Sequence, residues 1–313
     1  MKNHTLLELI QQKKLEQITT KPQDQTIGMP EKSYLFNQKI TLKELFIPQE
    51  LDCHKGHFGH VLVFEGCPQY LGASRLSALG ALRAGAGLVT IAVDTNEMPS
   101  AFDHAEFMRL KASEIWDPLL KKISAFIIGP GLSKDSLWQE KALCFLNRLK
   151  PHAPLIVMDA DGLSLLHHQN LELRHKTIIA TPHAHEAAGL LGMAPKDVEQ
   201  NRFLALEKLA ALPCNTNNHI IWLLKGSSTL VRGLDGQVFM FQGELPVLSA
   251  AGMGDVLSGV IAGLFKQVDC ALCAALLGVS MQIEAGSILS KSVFKGILAS
   301  ELAHVVPSLS LRP

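Results

Sequence analysis

The feature that most constrains this chain is a recurring pattern: a short apolar run, a break of small or polar residues, then a segment with apolar residues at helical spacing. The first clear copy runs from His60–Glu65 (HVLVFE) through Gly72–Arg83 (GASRLSALGALR) to Gly87–Val93 (GLVTIAV). Short apolar runs flanked by helical text read as parallel strands buried on both faces. A strand–helix–strand unit of this kind makes a right-handed crossover. The pattern continues with apolar runs at Ser124–Ile128, Leu155–Met158, Thr177–Ala180 and Ile220–Leu224, and helical text at 135–150 and 184–213. Thr229–Arg232 and Val238–Gln242 flank Leu234-Asp235-Gly236-Gln237 and read as a hairpin. Residues 253–265, 270–290 and 295–304 read as helices. The expectation is an α/β fold with a central, mostly parallel sheet between two helical layers.

Composition narrows this further. Hydrophobic residues make up 47% and aromatics only 6%, so the core is built of Ala, Leu, Ile and Val, which suits buried parallel strands. A chain of 313 residues can bury one large α/β core or two small ones. We assign residues 1–42 to a polar N-terminal extension, read as a leader helix and an extended arm, and 43–313 to the folded domain. Lys+Arg and Asp+Glu both number 29, so there is no general pull toward nucleic acid or anionic membrane. The longest apolar stretch, Leu245–Phe265, contains Asp255 and several glycines; it reads as protein interior rather than a membrane span. With no signal-peptide pattern at the polar N-terminus, the expectation is a cytoplasmic protein. The six cysteines lie mostly in apolar runs and read as reduced core thiols, Cys270-x-x-Cys273 included.

The strand ends carry the chemistry. The apolar runs finish in Gly129-Pro130-Gly131, Asp159-Ala160-Asp161-Gly162, Thr181-Pro182-His183 and Lys225-Gly226. In open α/β sheets, ligands bind beyond the carboxyl ends of the strands, so these residues can converge on one cleft. Ala250-Ala251-Gly252-Met253-Gly254-Asp255 leads small residues into a helical run. Unpaired N–H groups and the positive dipole end at a helix start suit an anion, and glycines allow close approach. Asp255 beside them can take a proton from a hydroxyl. The competing reading is a tight helix–helix contact that requires glycine, and local sequence leaves both open. Lys225-Gly226-Ser227-Ser228-Thr229 fits either a nucleotide-phosphate loop or an ordinary turn. His183 and His185 are too closely spaced for a zinc pair, and Glu186 is better suited to Mg²⁺ held through water. His54, His57 and His60, flanked by Gly56 and Gly59, read as incidental loop residues. Gly85-Ala86-Gly87 follows a helix and precedes a strand, the reverse of a dinucleotide fingerprint, and reads as a helix stop. The chain contains neither a P-loop motif nor a G-x-S-x-G elbow.

The ordered set of segments resembles the ADP/ATP-dependent NAD(P)H-hydrate dehydratases of the ribokinase-like superfamily. The carrying segments are His54–Val63, Gly72-Ala73, Ala81–Thr90, Ile128–Leu132, Asp159–Leu163, Thr181–His183, Leu224–Thr229 and Gly252–Leu257. The resemblance implies a three-layer α/β/α fold and the dehydration of hydrated NADH or NADPH, by phosphorylation of the ring hydroxyl and loss of phosphate. It implies ADP or ATP as phosphoryl donor, Mg²⁺ bridging phosphates, and assembly as a homo-oligomer. By position, Asp255 would be the base, with Gly252 and Gly254 stabilising the transferring phosphoryl group. Lys225, Gly226, Ser227, Ser228, Thr229 and Gly254 would line the nucleotide site. Ala73, Gly131, His183 and Asp255 would line the hydrated-cofactor site. The chain departs from the family at Glu65-Gly66-Cys67, where Gly-Gly-Ser is usual, at His57, in Glu244–Leu248, and at Ala250-Ala251. The roughly 45 residues before the domain are too few for the epimerase half that many relatives carry. Two rival functions share the same anion turn: another small-molecule kinase acting on a vitamin precursor, and a nucleotide-binding protein with weakened catalysis.

Overall fold

The computed structural model describes residues 16–17, 33–36, 45–46 and, with short interruptions, 52–310. Its strands are β1 Glu16–Gln17, β2 Ser33–Phe36, β3 His60–Phe64, β4 Leu88–Val93, β5 Met108–Lys111, β6 Ala125–Ile128, β7 Leu155–Met158, β8 Thr177–Ala180, β9 His219–Leu224, β10 Ser228–Arg232 and β11 Val238–Gln242. The helices used below are α1 Leu71–Arg83, α2 Ser136–Leu149, α3 Ala184–Leu191, α4 Pro195–Gln200, α5 Arg202–Ala210, α6 Met253–Val268, α7 Ala271–Ser290 and α8 Ala299–Val305.

One sheet joins the strands in the order β1-β2-β11-β10-β9-β8-β7-β6-β3-β4-β5. Seven of its ten adjacent pairs are parallel, which makes the sheet mostly parallel as expected. The antiparallel pairs are β1–β2, β9–β10 and β10–β11. The last of these is the hairpin around Asp235-Gly236.

Alternate residues of each central strand feed two separate cores. Val61, Val63, Ala125, Ile127, Leu155, Val157, Ile179, Ile221 and Leu223 face the layer that contains α1, α6, α7 and α8. Leu62, Phe64, Phe126, Ile128, Ile156, Met158, Ile178, Trp222 and Leu224 face the layer that contains α2, α3 and α5. Each such side chain, fully buried, contributes about 1.5–3 kcal/mol, whereas an exposed ion pair such as Lys111–Glu114 contributes roughly 0–1 kcal/mol. The two apolar layers therefore hold the sheet. In the first layer, α1 and α6 approach backbone to backbone. A Cβ on Gly259 would stand 2.0 Å from the Ser77 carbonyl oxygen, and one on Gly263 2.4 Å from that of Ala81. Helix α7 is long and apolar enough to cross a membrane by length and composition, but 61% of that window is buried in the fold, as in a core helix.

Several details differ from the sequence reading. β2 comes from the segment read as an extension and runs parallel to β11, pairing Ser33 with Val238 through to Phe36 with Phe241. The expected leader helix lies outside the described residues. β5 (MRLK) is an edge strand whose apolar–polar alternation spans only four residues, too short for periodicity to reveal it. His60 is not an incidental loop residue: it opens β3, is buried, and its Nε2 lies 2.8 Å from Thr90 Oγ1. Burial, with the nearby Lys122 charge, lowers its pKa to about 4. All six cysteines are free thiols, but only Cys67 and Cys273 are buried, and Cys144 is exposed. Helical position explains this: Cys144 lies on the outer side of the amphipathic α2.

Candidate active site at the strand ends

Strand order reverses at β3, with β4 and β5 on one side and β6 to β9 on the other. The carboxyl ends at such a reversal open a crevice. The turns beyond them are packed against one another. A Cβ on Gly66, after β3, would lie 2.3 Å from the Gly131 carbonyl oxygen, and one on Gly129, after β6, 1.8 Å from that of Asp159. Beyond this seam, the ends of β7, β8 and β9 and the start of α6 surround a cavity of about 910 Å³.

Its floor is an ion pair. Asp159, at the end of β7 and 1% exposed, holds the Lys225 ammonium at 2.6 Å. Ser258, one turn into α6, donates its hydroxyl to the other Asp159 oxygen at 2.8 Å. Burial alone would raise the Asp159 pKa, but the Lys225 charge and these hydrogen bonds outweigh it and hold the carboxyl ionised. Burial alone would lower the Lys225 pKa, and Asp159, Glu186 and Asp255 together reverse that. The Glu186 carboxylate is 3.9 Å from the same ammonium. Its pKa is pushed up to about 7 by burial; Lys225 opposes the rise, and Asp159 and Asp161 add to it.

Two helices begin at this cavity. His183 caps α3: its Nδ1 accepts from the backbone N–H groups of His185 and Glu186, and Glu186 accepts from the His183 N–H at 2.7 Å. Helix α6 begins at Gly252, which has φ +84 and no side-chain cap. The N–H groups of Gly254 and Asp255 have no acceptor among the described residues. Asp255 stands in this open first turn, its pKa pushed up to about 6 by burial and the Asp159 charge, with Lys225 opposing. A Cβ on Gly254 would lie 3.2 Å from Lys225 Nζ, so ammonium and turn share one small volume. Gly259 and Gly263 serve tight helix packing and Gly254 borders the cavity; Gly252 does both, since a Cβ there would also stand 2.5 Å from Leu76 Cδ1 of α1. Glycine at 252 also meets the left-handed φ, which costs other residues about 1–2 kcal/mol.

The structure brings Gly252, Gly254, Asp255, Lys225, Gly226, Ser227, Thr229, His183 and Glu186 into one lining. Ser228 starts β10, and Ala73 and Gly131 sit at the strand-order reversal; these three are not in that lining. Asp159 was not among the residues singled out, although its motif was. Its signal was position: an Asp closing a fully apolar strand must be paired or functional. Glu199, which lines the cavity, was also missed, because helix-surface charges in sequence look alike. Of the divergent stretch Glu244–Leu248, Glu244 lies outside the described residues, whereas Leu245, Pro246 and Leu248 line the cavity.

The sequence model of the carbohydrate-kinase-like NAD(P)H-hydrate dehydratase domain matches residues 61–308. The chain belongs to the NAD(P)H-hydrate dehydratase family. It is 34% identical over 255 residues to a bifunctional NAD(P)H-hydrate repair enzyme of Coxiella burnetii, a match covering 80% of this chain and 50% of that protein. It thus spans about half the length of the first curated relatives it matches. It is 32% identical to an ADP-dependent (S)-NAD(P)H-hydrate dehydratase of Neisseria meningitidis, over 84% of this chain and 89% of that one. Among solved structures, an ADP/ATP-dependent NAD(P)H-hydrate dehydratase from Bacillus subtilis, co-crystallised with ATP and Mg²⁺, superposes with a TM-score of 0.73 at 22% identity. That match covers 88% of this chain and 96% of the other, and it shows the ribokinase-like fold. Family membership accounts for the ordered motifs, all of which but His54–His60 fall within the matched span.

Proposed function

We propose that this chain dehydrates hydrated NADH or NADPH at the expense of ADP or ATP. The observation that carries the reading is a raised-pKa carboxylate, Asp255, in an uncapped helix start beside an ammonium held by buried Asp159. A base poised near neutrality, next to donors for a transferring phosphoryl group, suits phosphorylation of an alcohol. Asp255 takes the proton of the ring hydroxyl as its oxygen bonds to the terminal phosphorus and the bond to the leaving nucleotide breaks. The Gly254 and Asp255 amides and Lys225 face the charge that develops. Phosphate then departs with the carbon–oxygen bonding pair, a ring proton is lost, and the double bond returns. In this reading Gly252 leaves room for the phosphoryl group, Lys225–Thr229 hold the nucleotide, and Ala73, Gly131 and His183 hold the hydrated dinucleotide.

Of the four carboxyl groups in the lining, Asp159 is paired with Lys225 and Glu199 with Arg202, which leaves Glu186 and Asp255 without a cation of their own. A polyphosphate entering such a lining needs a cation with it. Glu186 offers a hard oxygen donor of the kind Mg²⁺ prefers, through water, and leaves the other positions to phosphate oxygens and water. The ion would neutralise phosphate charge. The protein would work in the cytoplasm as a homo-oligomer.

The test is to incubate the protein with hydrated NADH or NADPH, Mg²⁺ and either ADP or ATP, and follow the return of reduced-nicotinamide absorbance. Recovery with one donor is expected. Absence of recovery with both donors and both substrates would overturn the proposal.

A further inference from the structure

The loop Leu224–Thr229 is fastened from below by a side chain that no sequence motif picked out. Arg202, the first residue of α5, donates from Nη2 to the carbonyl oxygens of Leu224 at 2.9 Å and Lys225 at 3.0 Å. Its Nη1 donates to Glu199, at the end of α4, at 2.7 Å. The guanidinium is nearly buried, 11% exposed, and fills the space where Gly226 would carry a side chain: a Cβ there would stand 2.5 Å from Nη1. The Thr229 hydroxyl donates to the Gly226 carbonyl at 3.4 Å, and Pro182 accepts the Lys225 N–H at 2.8 Å.

These bonds sort the loop's polar groups. The carbonyls of three consecutive residues, 224 to 226, are taken up within the protein. The N–H groups of Gly226 and Ser227 have no acceptor among the described residues, and both residues line the cavity. A loop whose carbonyls are tied back while its amides stay open presents positive backbone dipoles to an anion. One arm of the guanidinium holds both carbonyls while the other holds Glu199, a fixed planar fork that a single ammonium does not match.

We propose that Arg202 is a positioning residue for the nucleotide: by holding the carbonyls of Leu224 and Lys225 it keeps the Gly226 and Ser227 amides set for the phosphates of a nucleoside di- or triphosphate. Glu199 supports it by fixing the guanidinium from the cavity rim. The inference rests on the nucleotide-dependent reading above.

The experiment compares the wild type with Arg202→Lys, Arg202→Gln and Glu199→Gln, using ADP and ATP with Mg²⁺ in calorimetry and in the dehydratase assay. For Arg202→Gln, the nucleotide Kd and KM rise about tenfold or more, as for a lost charge-assisted hydrogen bond. At saturating nucleotide, kcat stays within about twofold, and KM for the hydrated dinucleotide is unchanged. Arg202→Lys restores part of the affinity, and Glu199→Gln, the mildest change, gives a rise of a few fold. Unchanged nucleotide Kd in both Arg202 variants would overturn the proposal. So would an equal loss of kcat and of affinity for both substrates, the mark of general damage. Should Arg202→Gln fail to fold, an unchanged nucleotide KM in Glu199→Gln decides against it. A wild type that binds neither nucleotide would overturn the functional reading itself, and this inference with it.

Discussion

The starts of α3 and α6 lie on the same cavity and solve the same problem in opposite ways. Every helix begins with N–H groups that have no partner in the helix. At α3 the chain supplies partners from its own side chains, His183 and Glu186 in a reciprocal capping box. At α6 it places a glycine with φ +84 at the cap, supplies no side chain, and leaves the amides of Gly254 and Asp255 open. A capped start is finished and contributes to stability. An open one, next to Lys225, gives up that contribution and keeps its donors for a ligand. The difference between two superficially similar strand–turn–helix junctions is what points the proposed function to α6 rather than α3.

The comparison can be broken most severely at α6. Asp255→Asn should lower turnover by about 10²–10⁴-fold, the usual range for a lost general base, with nucleotide Kd within a few fold of wild type. Unaltered turnover would show that the open turn does no proton transfer. Lys225→Met leaves Asp159 buried without its counter-charge, and should cost about 3 kcal/mol in denaturant unfolding at neutral pH, besides weakening nucleotide binding. Gly252→Ala places a side chain in left-handed backbone, 2.5 Å from Leu76 Cδ1, and should cost about 1–2 kcal/mol in the same measurement and lower kcat. At α3 the cause differs: His183→Ala removes a cap rather than adding a side chain, with an expected loss of about 1 kcal/mol. If Gly252→Ala proved harmless while His183→Ala did not, the contrast between the two starts would fail.

The mildest perturbation is pH. In the proposed reaction Asp255 is the base and works deprotonated. Because its pKa is pushed up to about 6, kcat should fall as pH drops through about 6, rather than through the ordinary carboxylate range near 4. A flat profile from pH 5 to 8 would show that another group takes the proton.

How much of this could be read from the sequence depends on what each residue does. β3, β4 and β6 to β9 were legible because residues buried on both faces leave nearly unbroken apolar runs, and β10 and β11 because a turn sequence joins them. β5 and β2 were not: each is only four residues long, β5 is an edge strand with one neighbour, and β2 lies in the polar N-terminal segment, flanked by no helical text that would mark it as a strand. In the candidate site, Gly252, Gly254, Asp255 and Lys225 stood out because small and charged residues interrupted apolar segments. Ser258 and Arg202 act through partners distant in the chain, Asp159 and the carbonyls after β9, and local spacing holds no trace of such a partner. Asp159 falls between these cases: the strand end exposed it, but its pairing with Lys225 spans 66 positions.

The glycine seam between α1 and α6 has a mechanical consequence. With backbones in contact at Ser77–Gly259 and Ala81–Gly263, the two helices cannot slide or part without opening a gap that no side chain fills. Asp255 rides on one and Ala73 on the other, so the two move as one rigid piece.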